Sequence, residues 1–271
     1  MISNWSNLVA RRDLVRELTL SELRSQSQET RFGWLWWLVD PLIMMLIYWA
    51  VVVGIFERGQ RYTPYPVFIL CAVLAFKHLS SVLNSSAKVL RAREGLIKSI
   101  AFPTMVLPFT LVLAGFSNFL FGMLVLIGTA LAFERPLGAP LIQLPLLLAI
   151  QLVVVSGLAL VVSCLGALVR DLAGFLGHVL RIGFYLSPTL YGFDMVQERF
   201  AQMDGWWAEW GPWLYLLNPL AGLINGYREA LFYGRFMATE YWLLLLVQAV
   251  LLLAVGYRTF QYFDRRVIKF L

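Results

Sequence analysis

The apolar positions of this chain come in long runs rather than in stripes. Uninterrupted stretches of about twenty or more apolar residues recur, which is the length a helix needs to cross a hydrocarbon layer about 30 Å thick. Six such spans are predicted, at 34–56, 66–89, 104–133, 140–168, 173–193 and 239–258. The third and fourth exceed what a bilayer requires and are expected to tilt or project beyond it. Three segments have a different texture. Over 1–33, Leu8, Val9, Leu14, Val15, Leu18 and Leu23 recur among Arg11, Arg12, Asp13, Arg16, Glu17 and Glu22, giving a helix one apolar and one charged face. Such a helix either lies in the membrane interface or packs on the protein's own surface. Residues 91–102, in the run RAREGLIKSIAFP, form a short basic loop broken by Gly95, whose apolar members Leu96, Ile97, Ile100 and Phe102 suit a docking surface for a soluble partner. Residues 194–238 carry Trp206, Trp207, Trp210 and Trp213 and are interrupted by Asn218–Pro219, Gly222 and Gly226. This last segment is expected to form short helices dipping back into the membrane, or an ordinary helical hairpin outside it.

Composition agrees with the runs. The 271 residues are 60% hydrophobic, 15% aromatic and 14% charged, whereas soluble domains are about a quarter charged. The fold class is therefore an all-α integral membrane protein. A net charge of +6 does not point to nucleic acid, because the basic residues sit between apolar runs. With six spans both termini share a side, and of the 22 Lys and Arg fifteen fall on that side and six on the other, Lys77 being the remaining one. The positive-inside rule then places both termini and the 91–102 loop in the cytoplasm. The first thirty residues lack the apolar core and cleavage site of a signal peptide, so a mature N-terminus is expected. Cys71 and Cys164 lie inside apolar runs and read as small core residues.

Several motifs then occur in a familiar order: RFGWLWWLVDPL (31–42), GLIKSIAFPTMVLP (95–108), VRDL (169–172), SPTLY (187–191) and LNPLAGLINGYREALFYG (217–234). Together they resemble the permease subunits of type-2 ABC exporters for polysaccharides, the O-antigen and teichoic-acid export family, over nearly the whole chain. The resemblance implies a homodimer in a bacterial cytoplasmic (inner) membrane, with two copies of a cytoplasmic ATP-binding subunit that holds ATP and Mg. The substrate it implies is a glycan on undecaprenyl diphosphate. The N-terminal helix and the 91–102 loop, with Arg93, Glu94, Leu96, Ile97 and Lys98, would meet the ATPase. Trp213, Asn218, Pro219, Tyr227 and Arg228 would belong to a re-entrant outer gate before the last span. In agreement, the sequence contains no G-x-x-x-x-G-K-[ST] loop, so it cannot cradle ATP by that device.

Charges inside apolar spans are costly and need a reason. Asp40–Pro41 reads as a helix restart, the carboxylate capping and Pro at the first helical position; alternatively Asp40 lines the substrate entrance. Trp34, Trp36 and Trp37 would then anchor an interfacial turn. Lys77, with His78, either faces the conduit, where it meets sugar hydroxyls or a diphosphate, or pairs with an acid such as Asp40. Arg181 is a second candidate for an inward-facing cation. Arg24 and Arg31 flank the first span and either fork a diphosphate or anchor to anionic membrane lipid. Tyr185 and Tyr191 are candidate wall residues for a sliding glycan. A secondary transporter would show broken helices in related halves. A membrane-embedded transferase would show clustered acids, a nucleophile or more than the two histidines present. Neither pattern stands out, and no metal-binding spacing is present.

Overall fold

The computed structural model describes residues 11–28, 33–55, 60–99, 103–135 and 137–270, and these fold into helices joined by short turns with no strand among them. Arg31, Leu8, Val9, Ile100 and Phe102 lie outside the described residues, as does the side chain of Trp34. In chain order the helices are α1 Arg12–Gln28, α2 Trp36–Trp49, α3 Tyr65–Ala92, α4 Glu94–Ser99, α5 Val106–Ala132, α6 Leu144–Leu168, α7 Leu172–Leu186, α8 Phe193–Ala201, α9 Trp206–Tyr215, α10 Pro219–Arg228 and α11 Thr239–Phe270.

Five stretches are long and apolar enough to cross a membrane: Trp36–Ile55, Tyr65–Ala92, Val106–Ala132, Ala139–Leu168 and Thr239–Phe263. The run predicted as a span at 173–193 is shorter than expected. Its helix, α7, has 15 residues, about 22 Å at 1.5 Å per residue, less than the hydrocarbon thickness. The reason lies in Ser187–Pro188: Pro disfavours helical backbone in the residue before it, and Ser187 is extended, with φ −87° and ψ 156°.

The centre of the molecule is α3. In its most apolar window 72% of residues are buried, against 11% for the α2 stretch. It packs on α5, α6, α2 and α10, so it is apolar on nearly every face, whereas α2 covers it from one side. The α6–α11 crossing is tight because two glycines meet there. A Cβ on Gly157 would lie 2.5 Å from the Leu252 carbonyl, and one on Gly256 would lie 2.2 Å from the Gly157 carbonyl oxygen. A second apolar cluster, containing Leu90, Ile97, Met105, Val106, Leu160 and Phe260, lies at the α4 end. Leu14, Val15 and Leu18 of α1 pack on it, so the apolar face of α1 meets the chain's own helices.

Two expectations change here. Asp40 is no helix cap: α2 begins at Trp36 after a tight turn at Gly33–Leu35, and Pro41 sits inside it. The carboxylate instead pairs with Lys77, the alternative that the sequence offered for Lys77. Ile97 is no exposed docking residue. It is 5% exposed within the second cluster, because α4 folds its apolar side onto α3 and leaves Arg93 and Lys98 outward.

Candidate functional site

Near the middle of α3, a cavity of about 310 Å³ opens between α2, α3 and α5. Helical periodicity builds it. Leu74, Lys77, His78 and Ser81 share one face of α3, Gly115, Asn118 and Phe119 one face of α5, and Trp36, Trp37, Asp40 and Pro41 come from the first turns of α2. Lys77 and Asp40 form an ion pair with half-exposed side chains. His78 is buried, stacks on Phe119 with ring centroids 5.2 Å apart, and bonds through Nδ1 to Gln151 Nε2 at 3.0 Å. Gln151 accepts from the Tyr227 hydroxyl at 2.8 Å. His78, a predicted conduit residue, and Tyr227, a predicted gate residue, are thus joined through one amide. At the rim, Asn118 donates to Gln26 of α1 at 2.9 Å.

At the N-terminal end of α3 sits Arg228, 1% exposed, at the C-terminus of α10. Its Nη1 donates to the carbonyls of Pro188 (2.6 Å) and Tyr191 (2.8 Å), its Nη2 to Thr189 (2.8 Å) and its Nε to Phe68 (3.3 Å). The guanidinium lies 3.5 Å from the Phe68 ring centroid. Asn218 starts α10: its side chain accepts from the Leu220 amide at 3.1 Å and donates to Ser187 Oγ at 2.8 Å, with Pro219 first in the helix. Tyr191 bonds to the Tyr215 hydroxyl and the Tyr185 carbonyl, each at 3.1 Å. Trp213 packs against Tyr241 at 5.8 Å.

Outside this knot, Arg61 binds Asp194 at 2.7 Å and Glu198 at 2.9 Å, and the Tyr62 hydroxyl donates to Asp194 at 2.8 Å. The bond from Glu198 raises the Arg61 pKa, with Asp194 adding to it, and the same bond holds Glu198 below the usual carboxylate range. Burial, then the Asp194 bond, pushes the Tyr62 phenol up.

The remaining predicted residues are dispersed. Arg181 and Tyr185 are exposed on α7, and Arg24 is exposed on α1. Glu94 and Lys98 pair with each other at 2.6 Å. Cys71 and Cys164 are free and buried. Among the described residues no three His, Cys, Asp or Glu side chains group closely enough to hold a metal ion. Sequence reasoning missed Gln151, Asn118, Ser81 and Gln26. The first two carried a usable signal, since each is a carboxamide inside an apolar run where it must find a partner.

The profile of the ABC-2 type transporter family matches residues 13–232. An "O-antigen export system permease protein RfbA" from Klebsiella pneumoniae is 27% identical over 262 residues, covering 96% of this chain and 95% of that protein. The protein of the same name from Myxococcus xanthus is 24% identical over 233 residues, 86% and 85% of the two chains. The "Polysialic acid transport protein KpsM" of Escherichia coli is 24% identical over 227 residues, 81% of each.

Proposed function

This chain belongs to the ABC-2 type transporter family, and from that premise we propose that it is the permease through which a separate ATPase drives export of a bacterial surface polysaccharide. The observation that carries the reading is similarity along almost the full length of an O-antigen export permease, together with five helices long and apolar enough to span a membrane. The cargo in this reading is an O-antigen-type glycan on undecaprenyl diphosphate, and two copies of the chain frame the conduit in the inner membrane. The similarity to a polysialic acid transport protein favours a capsular polymer as the second candidate.

In this reading α7 is the sixth crossing, completed by the segment after it, and both termini face the cytoplasm. Power arrives from the partner's ATP and Mg through α1 and the charged face of α4, Arg93, Glu94 and Lys98. The conduit passes the Asp40–Lys77 cavity and α7, with Arg181 and Tyr185, and leaves past the α8–α10 gate. Its exposed aromatic surface supplies ring faces over which sugars slide: Tyr185 is 62% and Trp213 38% exposed.

Deleting the gene and restoring it tests the function. Surface polysaccharide is expected to vanish and return, with lipid-linked polymer accumulating inside in the interval. The chain is also expected to co-purify with an ATPase encoded beside it and to stimulate hydrolysis. Normal surface polymer in the deletion strain, or a chain that purifies without any ATPase, overturns the reading.

A further inference from the structure

A cavity of about 150 Å³ lies against α10, walled by aliphatic side chains of α3, α6, α10 and α11, among them Val155, Leu158, Leu223 and Leu252. It shares no wall residue with the α2–α3–α5 cavity. Two of its wall residues are polar, Gln151 and Asn218, and both amides are committed elsewhere. Gln151 Nε2 has the Ala75 carbonyl at 3.2 Å and His78 Nδ1 at 3.0 Å, and the Gln151 oxygen accepts from the Tyr227 hydroxyl. Asn218 accepts from the Leu220 amide and donates to Ser187 Oγ. A buried water needs two to four polar partners, and an apolar cavity of about 150 Å³ stays dry while admitting a benzene-sized guest. Nor is the void general looseness around α10. A Cβ on Gly222 would lie 2.8 Å from the Leu245 side chain, and one on Gly226 2.6 Å from that of Leu147. The helix is pressed closely on α6 and α11 at these glycines and leaves an open space beside them.

Depth and mouth decide what the space admits. Val155 lies near the middle of the stretch Ala139–Leu168 and Leu252 near the middle of Thr239–Phe263, so the cavity sits where the methyl ends of lipid chains from the two leaflets meet. Leu158, Pro219 and Leu252 are partly exposed and mark its mouth. Next to them along the chain, Leu217, Leu251 and Val255 are 61%, 57% and 55% exposed, so the mouth continues an apolar surface that hydrocarbon meets. A headgroup, a sugar or an ion finds no free donor or acceptor inside. A chain end arriving from the bilayer displaces no water; what favours its entry is recovery of the dispersion contacts that an empty void forfeits. We propose that this cavity binds the methyl end of a phospholipid acyl chain, inserted from the bilayer between α6, α10 and α11. The lipid thereby completes the packing against α10, whose far end Arg228 ties to the carbonyls of Pro188, Thr189 and Tyr191. The proposal rests on the protein's place in a membrane and is independent of its cargo.

Photolabelling tests it. The full chain is reconstituted in vesicles of phosphatidylethanolamine and phosphatidylglycerol that contain a little phosphatidylcholine carrying a diazirine at the methyl end of one acyl chain. No other lipid is present, so every adduct formed on illumination comes from a phospholipid chain. Adducts are expected on Val155 and Leu223, each 1% exposed, at a yield within several-fold of that on the exposed Leu251. Val155→Phe, which fills the space, is expected to lower labelling of Leu223 several-fold and to leave that of Leu251 unchanged. Leu252→Phe at the mouth is expected to lower labelling of both Val155 and Leu223, and it carries the test should Val155→Phe fail to accumulate. Adducts on Leu251 with none on Val155 or Leu223 overturn the proposal and leave the void empty. Labelling of Leu223 that persists undiminished in the filled variants overturns it as well. Either of these results leaves the transport reading standing, which surface polymer in the deletion strain decides.

Discussion

Arg228 and Lys77 are both cations set deep among apolar helices, and they meet the cost of charge in opposite ways. Arg228 is 1% exposed and gives its protons to four backbone carbonyls, with an aromatic face beneath it. Lys77 is half-exposed, paired with Asp40, and borders an open cavity of about 310 Å³. A planar guanidinium reaches several acceptors at once, so Arg228 can close a network made of backbone. The ammonium of Lys77 closes only its own pair. Completed networks hold segments in place; the Asp40–Lys77 pair leaves its surroundings open.

Removing the closed network is expected to have the largest effect. Arg228→Met strands the carbonyls of Phe68, Pro188, Thr189 and Tyr191 that now accept from it. Loss of about 3–5 kcal/mol is expected, the usual cost of breaking a buried charged network, read as a lower unfolding midpoint of detergent-solubilised protein. Arg228→Lys is expected to rescue little, since one ammonium cannot reach carbonyls on three sides. A near-native midpoint for the Lys variant would break the contrast.

Glycines repeat the contrast of closed and open packing. Gly157 lies against the backbone of α11, whereas a Cβ on Gly174, Gly177 or Gly183 of α7 meets nothing within 4 Å. Gly157→Ala is expected to cost roughly 1–3 kcal/mol by overpacking, and Gly177→Ala to leave the unfolding curve in place. Paired unfolding measurements decide it, and equal effects would show that α7 is as tightly enclosed as α6.

For the open site a double-mutant cycle gives the sharper answer. Asp40→Asn or Lys77→Met leaves one charge without its partner in apolar surroundings, so each single variant is expected to lose stability and the double variant to recover part of it. A coupling of roughly 0.5–3 kcal/mol is expected for residues in contact. Additive losses would mean that the pair does not form. Lys77→Ala is further expected to reduce export while assembly with the ATPase persists.

What was legible in the sequence follows from which interactions are local. Run length placed the five long helices, because a span's requirement is written in consecutive residues. The Asn218–Pro219 break was legible for the same reason: cap and first-turn proline are adjacent in the chain and act there. Asp40–Pro41 has the same local grammar and reads wrongly, since an acid inside an apolar run gains more from Lys77, 37 positions away, than from free amides nearby. Ile97 was misassigned because a loop residue's burial depends on Phe260 and Met105, which share its cluster. The carbonyl cage of Arg228 leaves no trace in sequence, as any residue type supplies a carbonyl. Gln151 was readable in principle as a lone amide among aliphatic residues, but its role emerges only when His78 and Tyr227 are seen on either side of it.

The smallest effect belongs to the outer ion pairs, which resemble the Arg228 network in composition but not in burial. Arg61 and Glu198 have side chains about half-exposed, at 48% and 56%, so water screens their attraction and little stability is gained from it. Because the bond to Arg61 holds Glu198 below the ordinary carboxylate range, what it contributes is present above the pKa of the unfolded chain. That contribution is lost as pH falls through the lower folded value. Glu198→Gln is therefore expected to shift the unfolding midpoint slightly downward at neutral pH, and that small gap to the unaltered chain is expected to close in strong acid. A gap that widens with acid would reverse the sign of the linkage and assign the stabilisation of this end to protonated groups instead. A gap at neutral pH as large as that of Arg228→Met would remove the distinction between exposed and enclosed charge on which the contrast between the Arg228 and Lys77 sites depends.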